Sequence, residues 1–200
     1  MVQNLIILGP QGSGKGTQAK LLCGKFGFAY VGSGDTLREM AKKDSELGRK
    51  VRSCLEAGQL VPDEIVMPVL EEKLRTVPSG QPVLIEGFVR RLPQYEFFKK
   101  IWPRLRRGDF KVLFIELSED EAVKRLAARS GIENRDDDKP EAIKKRLEWF
   151  RRETLPMLEA MKRDGVEVIR IDGSPSIEMV HKEILQKLGM DSRLRGNDNT

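Results

Sequence analysis

Short apolar segments alternate with helix-like stretches along nearly the whole chain, and this alternation restricts the fold more than any other feature. Five segments are apolar enough to be strands buried on both faces: residues 4–8, 28–31, 83–86, 111–117 and 166–171. Helical patterns occur at residues 15–26, 35–42, 46–57, 63–75, 92–102, 119–129, 140–163 and 176–188. Because parallel strands need a crossover that is usually a helix, the alternation predicts an α/β fold with a five-stranded parallel sheet flanked by helices.

The size and composition of the chain exclude several classes of protein. It has 200 residues, of which 39% are apolar, enough to bury one sizeable core. Its apolar runs are far shorter than the roughly 20 residues that cross a bilayer, so we expect no membrane partner. No Lys or Arg precedes the first apolar stretch, and Cys23 and Cys54 are the only cysteines. We therefore expect no export signal, no disulfide framework and a cytoplasmic location.

Positive charge slightly exceeds negative charge. Lys and Arg number 36 against 31 acidic residues, and the formal net charge is +5. This balance favours anionic partners, but both signs are mixed along the whole chain, whereas nucleic-acid-binding proteins concentrate positive charge on one element or face. We therefore expect no nucleic-acid partner. A basic nucleic-acid binder is kept as an alternative, and its complex would weaken steeply as salt is raised.

The strongest local motif is a glycine-rich segment between the first predicted strand and the first predicted helix. Residues 9–17 read Gly-Pro-Gln-Gly-Ser-Gly-Lys-Gly-Thr. Glycines let successive backbone N–H groups turn toward a phosphate, the helix N-terminus adds a partial positive charge, and Lys15 reaches the terminal phosphoryl oxygens. The segment therefore predicts a phosphate-binding loop. It departs from the general pattern at Gly16, because Ser or Thr usually follows the lysine directly and here the first hydroxyl after the lysine is that of Thr17.

Further motifs follow in order along the chain. Residues 30–38 read Tyr-Val-Gly-Ser-Gly-Asp-Thr-Leu-Arg, residues 58–61 read Gly-Gln-Leu-Val, and residues 85–90 read Ile-Glu-Gly-Phe-Val-Arg, with Gln94 four residues later. Together with Gly-Lys-Gly-Thr at residues 14–17 and a series of later arginines, they resemble the adenylate kinases and related nucleoside monophosphate kinases. The resemblance extends over residues 2–188, nearly the whole chain.

The resemblance implies three parts and one reaction. The parts are a P-loop core of residues 1–31, 62–127 and 139–190, an AMP-binding helical insertion of residues 32–61, and a short lid of residues 128–138. Residues 191–200 are polar and carry no apolar pattern, which predicts a frayed tail. The reaction is reversible in-line phosphoryl transfer, ATP + AMP = 2 ADP, by a monomer. Residues 130–139 also lack periodicity, which predicts an exposed loop. The lid lacks the longer insertion and zinc ligands of some bacterial relatives, so no zinc site is predicted.

The implied site consists mainly of cations, because two negatively charged nucleotides must be brought together. The implied catalytic residues are Lys15, Arg90, Arg125, Arg135 and Arg146. The implied ATP-binding residues are Gly12, Ser13, Gly14, Lys15, Gly16, Thr17, Arg125, Arg129, Gly173 and Pro175. The implied AMP-binding residues are Ser33, Arg38, Gln59, Leu60, Val61, Gly87, Phe88, Val89, Arg90, Gln94, Arg135 and Arg146. Planar guanidinium groups suit phosphate oxygens particularly well.

Several of these side chains have a plainer interpretation. Arg125 and Arg129 lie four residues apart on a predicted helix and can converge on one polyphosphate, but Arg125 can equally pair with Glu121 on a solvated face. The resemblance places Arg135 and Arg146 in or after a lid whose closure would exclude water. The acidic run at residues 136–138 is explained as solvated loop and helix-start charge at Asp136, whereas Asp137 and Asp138 match lid positions.

A Mg²⁺ ion carried by ATP is expected as cofactor, coordinated mostly by water. Asp35 and Glu86 are the candidates for organising the metal-bound water, although Asp35 can instead be a helix cap. Glu86 stands where the family usually has Asp, which moves its carboxylate outward.

The identity of the monophosphate depends on Ser33 and Gln94. The Gln94 amide can donate to and accept from an adenine edge, which favours AMP, while Ser33 replaces the usual threonine and loses a methyl contact. Val89 and Arg91 replace the usual Pro and Thr beside Arg90, which predicts a softer loop and a weaker AMP site. The alternatives are a UMP/CMP or other nucleoside monophosphate kinase of this fold and a regulatory nucleotide-binding module; the chain contains no Asn-Lys-x-Asp element for reading guanine.

Overall fold

The computed structural model describes residues 4–57, 59–133 and 140–190, with side chains at residues 4–57, 59–128 and 141–190. Its strands are β1 (Asn4–Leu8), β2 (Ala29–Gly32), β3 (Val83–Glu86), β4 (Phe110–Glu116) and β5 (Val168–Asp172). They form one parallel sheet of five strands in the order β2-β3-β1-β4-β5. The predicted fold class is confirmed, and the observed bounds of β1 and β3 equal the predicted ones.

The sheet has an apolar layer on each face. In the central strand β1, Ile6 and Leu8 belong to the larger cluster of buried residues and Leu5 and Ile7 to a second one, as the two-residue period of a strand requires. The prediction that every strand is buried on both faces is wrong for β5, where alternate residues are exposed. β5 is an edge strand whose isoleucines pack beside the last helix, so its other face reaches solvent.

Helices surround the sheet. They are α1 (Lys15–Phe26), α2 (Ser33–Lys42), α3 (Glu46–Glu56), α4 (Asp63–Thr76), α5 (Leu92–Ile101), α6 (Glu119–Glu133), α7 (Pro140–Trp149), α8 (Leu155–Arg163) and α9 (Ile177–Lys187). A short 3₁₀ turn covers Pro103–Leu105, and a π-helical turn, Phe150–Thr154, joins α7 to α8. None of the helices within the described residues has the length and apolar character needed to span a bilayer.

One predicted boundary needs correction, and three predicted features lie outside the described residues. Residues 130–133 were predicted to be loop, but α6 continues through them to Glu133. This part of the expected lid is therefore helical, since adding a hydrogen-bonded turn to an existing helix costs much less than starting one. Residues 134–139, the expected tail at 191–200 and the expected helix stop at Gly58 lie outside the described residues.

The inserted helices α2 and α3 follow β2 directly, as the pattern predicts. Ser45 caps α3, its hydroxyl accepting a hydrogen bond from the Gly48 N–H at 3.0 Å. Arg52 of α3 donates from Nε and Nη2 to the Ala41 carbonyl near the end of α2, at 2.9 and 2.6 Å. Val51 is fully buried and lies in the larger core cluster. The pair therefore forms one unit in which each helix supplies polar groups to the other.

Candidate active site

The glycine-rich loop connects the buried end of β1 to the first turn of α1. The Lys15 ammonium donates to the Pro10 carbonyl at 2.6 Å and lies 3.5 Å from the Ser13 hydroxyl. The Ser13 N–H donates to the same Pro10 carbonyl oxygen at 3.2 Å, which forms a tight turn within the loop. The positive charge of Lys15 is therefore held across the loop, beside the positive end of the α1 dipole.

A cleft of about 620 Å³ opens at the carboxyl ends of the strands, the place where open α/β sheets bind ligands. Its lining includes Gly12, Gly14, Gly16 and Thr17 of the loop region. Six basic side chains from five separate segments also line it: Lys15, Lys20, Arg38, Arg90, Arg125 and Arg146. Only two acidic side chains, Asp35 and Glu86, do so among the described residues. The cleft is thus strongly cationic, and it includes Lys20, to which the sequence motifs assigned no role.

A smaller cavity of about 90 Å³ adjoins the cleft and shares Arg38, Gly87, Arg90 and Arg146 with it. Nine of the residues expected to bind AMP line it: Ser33, Arg38, Gln59, Leu60, Val61, Gly87, Arg90, Gln94 and Arg146. Phe88 and Val89 do not, because both side chains are fully buried in the core. The expected monophosphate residues are therefore brought together from α2, the segment after α3, the segment after β3, α5 and α7.

Arg90 is anchored from three directions. Its N–H donates to Gln94 Oε1 at 2.7 Å, its carbonyl accepts from the Thr154 hydroxyl at 2.8 Å, and its Nε donates to the Gly87 carbonyl at 2.7 Å. Thr154 belongs to the π-helical turn, a feature that often occurs at functional sites. Sequence reasoning missed Thr154, since nothing local relates it to Arg90, 64 residues away.

Gln94 is buried and its amide is engaged on both sides. In addition to accepting from Arg90, it donates from Nε2 to Asp63 Oδ1 at 2.8 Å. Asp63 in turn binds Arg91 through two contacts, Nε to Oδ1 at 3.0 Å and Nη2 to Oδ2 at 2.8 Å. Arg91 therefore faces Asp63 at the start of α4, and neither lines the two cavities. The role of Asp63 was not visible in the sequence.

Arg125 makes the helix pair that the plainer interpretation expects and also faces the cleft. Its Nε lies 2.8 Å from Glu121 Oε1, and its Nη1 and Nη2 donate to the carbonyls of Gly173 and Ser174 at 2.8 and 2.9 Å. The two interpretations are therefore compatible. Gly173 is buried and accepts from this guanidinium, but neither Gly173 nor Pro175 lines the cleft. The side chains of Arg129 and of residues 135–138 lie outside the described part of the chain.

The two acidic side chains of the cleft, Asp35 and Glu86, have different polar contacts. Asp35 is not the cap of α2, which is Gly32; it lies in the first turn and pairs with Arg38 at 2.6 Å. The Glu86 Oε2 accepts a hydrogen bond from the Tyr30 hydroxyl at 3.4 Å. Burial, and then the charge of Glu86, raises the pKa of Tyr30, so this hydroxyl stays a donor at neutral pH.

The carboxylates of Asp35 and Glu86 suit a metal ion that takes most of its ligands from water and substrate. Asp35 and Glu86 line the same cleft, yet no group of three or more His, Cys, Asp or Glu among the described residues is arranged to hold a metal. Two carboxylates on a wet cleft suit Mg²⁺, which keeps several waters and binds substrate phosphates.

A glycine-rich loop with a lysine, set between the first strand and the first helix of a parallel sheet and opening on a cationic cleft, defines the class of P-loop nucleotide-binding proteins. Comparisons with known proteins narrow this class. A family described as adenylate kinase matches residues 7–166. The chain belongs to the adenylate kinase family, whose members are phosphotransferases.

Individual relatives agree over nearly their whole length. An adenylate kinase of Thermus thermophilus is 35% identical over 188 residues, covering 94% of this chain and 98% of the relative. One of Caldicellulosiruptor saccharolyticus is 34% identical over 214 residues, covering 94% and 99%, and one of Methanothrix thermoacetophila is 32% identical over 211 residues, covering 92% and 98%. Since the first two alignments cover the same share of this chain, the longer one contains positions that this chain lacks. That difference agrees with the expected short-lid form.

Proposed function

We propose that this chain transfers a phosphoryl group between ATP and AMP in both directions, ATP + AMP = 2 ADP. The observation that carries the proposal is the convergence of Lys15, Arg38, Arg90, Arg125 and Arg146 on one cleft. These side chains come from distant segments, and surface cations with no shared ligand would repel one another. The facing phosphate groups of two nucleotides compensate that repulsion, and phosphoryl transfer depends mostly on such positioning and charge placement.

In this proposal the two nucleotides occupy opposite sides of the cleft. The phosphate-binding loop, residues 12–17, with Arg125, Arg129, Gly173 and Pro175, holds ATP; the small cavity holds AMP, with Arg38 and Arg90 on its phosphate. Arg135 and Arg146 act with Lys15 and Arg90 on the moving phosphoryl group. Support comes from the shared lining, because Arg90 and Arg146 border both the cleft and the cavity. A group at that junction is in reach of both substrates.

Mg²⁺ enters this proposal bound to ATP, where it would neutralise phosphate charge. Asp35 and Glu86 would hold its water ligands, and the Tyr30 hydroxyl keeps the Glu86 carboxylate turned toward β2. The insertion of residues 32–61 and the lid of residues 128–138 are proposed to close over the substrates and exclude water from the transfer.

Coupled measurement of ADP formation tests the proposal. Lys15→Met and Arg90→Ala should each lower kcat/KM by about a hundredfold or more, because each removes a charge that stabilises the transition state. The matched control is Arg104→Ala, since Arg104 is exposed and does not line the cleft. It should retain the wild-type rate. A wild-type rate in Arg90→Ala would remove that residue from the mechanism, and a preference for UMP or CMP in a panel of monophosphates would overturn the substrate.

A further inference from the structure

We infer that Asp63 and Arg91 are positioning residues that fix the orientation of the Gln94 amide, and that they thereby set the preference of the small cavity for a 6-amino purine over a 6-oxo purine. This inference rests on the proposed function, because it concerns the base of the monophosphate. It starts from a chain of polar contacts, each 3.0 Å or shorter, that leads from the Arg91 guanidinium to the wall of the cavity.

The orientation of the amide is determined by its two neighbours. The Arg90 N–H is a donor and requires Gln94 Oε1, while the Asp63 carboxylate is an acceptor and requires Gln94 Nε2. Turning the amide over would place an oxygen against the carboxylate and an N–H against an N–H. Gln94 is 2% exposed, so water cannot compensate either mismatch. Only one of the two orientations is therefore stable.

The fixed amide presents one acceptor and one donor to a ligand. After the contacts above, Oε1 keeps a lone pair and Nε2 keeps an N–H. Adenine offers an amino donor beside a ring-nitrogen acceptor, which complements this pair, whereas a 6-oxo purine offers an oxygen where the amino group was. That oxygen would face Oε1. A glutamine free to turn over would accept both bases, but this one is not free.

Arg91 is needed to hold Asp63 against Gln94, because the Asp63 carboxylate could otherwise form hydrogen bonds elsewhere. Asp63 is the first residue of α4, whose N-cap residue, Pro62, makes no side-chain cap. An unpaired carboxylate there can turn toward the free N–H groups of its own first turn. The two contacts from Arg91 to different Asp63 oxygens keep the carboxylate on Gln94, as a bidentate guanidinium pair does. Both side chains are about three-quarters buried, which limits screening by solvent.

The test compares AMP with inosine monophosphate, which differs from AMP at the base position that the amide reads. In Asp63→Asn, the new amide can donate to Gln94 Oε1, so the flipped orientation loses one of its two mismatches and only the Arg90 N–H still opposes it. We expect the ratio of kcat/KM for AMP to that for inosine monophosphate to fall at least about tenfold, mainly through KM. Arg91→Gln should lower the same ratio, and Arg91→Lys, which keeps one charged contact, should lower it less.

The matched control is Arg75→Gln, which breaks an ion pair with Glu71 on the same helix, away from the cavity. It should leave the ratio unchanged. If the Asp63 and Arg91 variants lose activity equally toward both nucleotides, or keep the wild-type ratio, the inference is wrong. Calorimetric titration with both nucleotides repeats the comparison without catalysis. A wild-type protein that binds AMP selectively but forms no ADP would thus refute the proposed reaction and leave the amide orientation to be decided by the variants.

Discussion

Replacing Gly87 with alanine should damage both stability and the AMP site. Gly87 follows β3 with a φ of +81°, a conformation that alanine adopts only with strain of about 1–2 kcal/mol. An added Cβ would lie 2.2 Å from the Ser33 hydroxyl oxygen and 2.8 Å from Arg90 Nη2. Displacing the buried Ser33 hydroxyl and the partly buried Arg90 guanidinium adds overpacking of about 1–3 kcal/mol. The total, about 2–5 kcal/mol, corresponds to a fall in Tm of about 4–20 °C for a chain of this length.

The chain contains a matched control. Gly165 has nearly the same φ, +82°, but a Cβ there meets nothing within 4 Å. Gly165→Ala therefore has the backbone strain without the collision, and its Tm should fall by only about 2–8 °C. Scanning calorimetry measures both shifts, and steady-state kinetics should show a raised KM for AMP in Gly87→Ala alone. Equal losses of Tm in the two variants, with unchanged KM, would refute the argument from the collision.

Two further predictions concern buried groups. Burial, and then the charge of Lys25, lowers the pKa of His181 from its ordinary value of 6.5. The unfolded chain therefore binds more protons than the folded one, so the free energy of unfolding should decrease as pH falls below about 6.5. Denaturant titrations from pH 7.5 to 5.5 measure this decrease. Because His181 is the only histidine in the sequence, His181→Gln should remove its contribution to the pH dependence. Arg107 donates to the carbonyls of Leu74, Val77 and Gln81. Arg107→Ala leaves them without these donors and should cost at least about 1–3 kcal/mol by the same titration, with kcat unchanged, whereas exposed Arg104→Ala should have no effect on stability.

Local patterns determined the elements and the phosphate-binding loop. The bounds of β1, β3 and α1 are those expected from the sequence, because a run of buried apolar residues and a strand–glycine–helix junction are properties of neighbouring residues. The order of the motifs also predicted several residues that line the small cavity, among them Ser33, Arg38, Gly87 and Gln94. The prediction of a loop at residues 130–133 was wrong, because no clear local signal marks the position where α6 ends.

Tertiary structure decided how those residues are used. Gln94 was expected to read a base, but its orientation depends on Asp63, 31 residues earlier, and on Arg91. The place of Glu86 likewise depends on Tyr30, 56 residues away on a strand that pairs with β3. A periodic pattern records only whether a side chain faces the core or the solvent. Which polar group meets which is settled when the sheet brings distant segments together, because hydrogen bonds require both partners at a defined distance and angle.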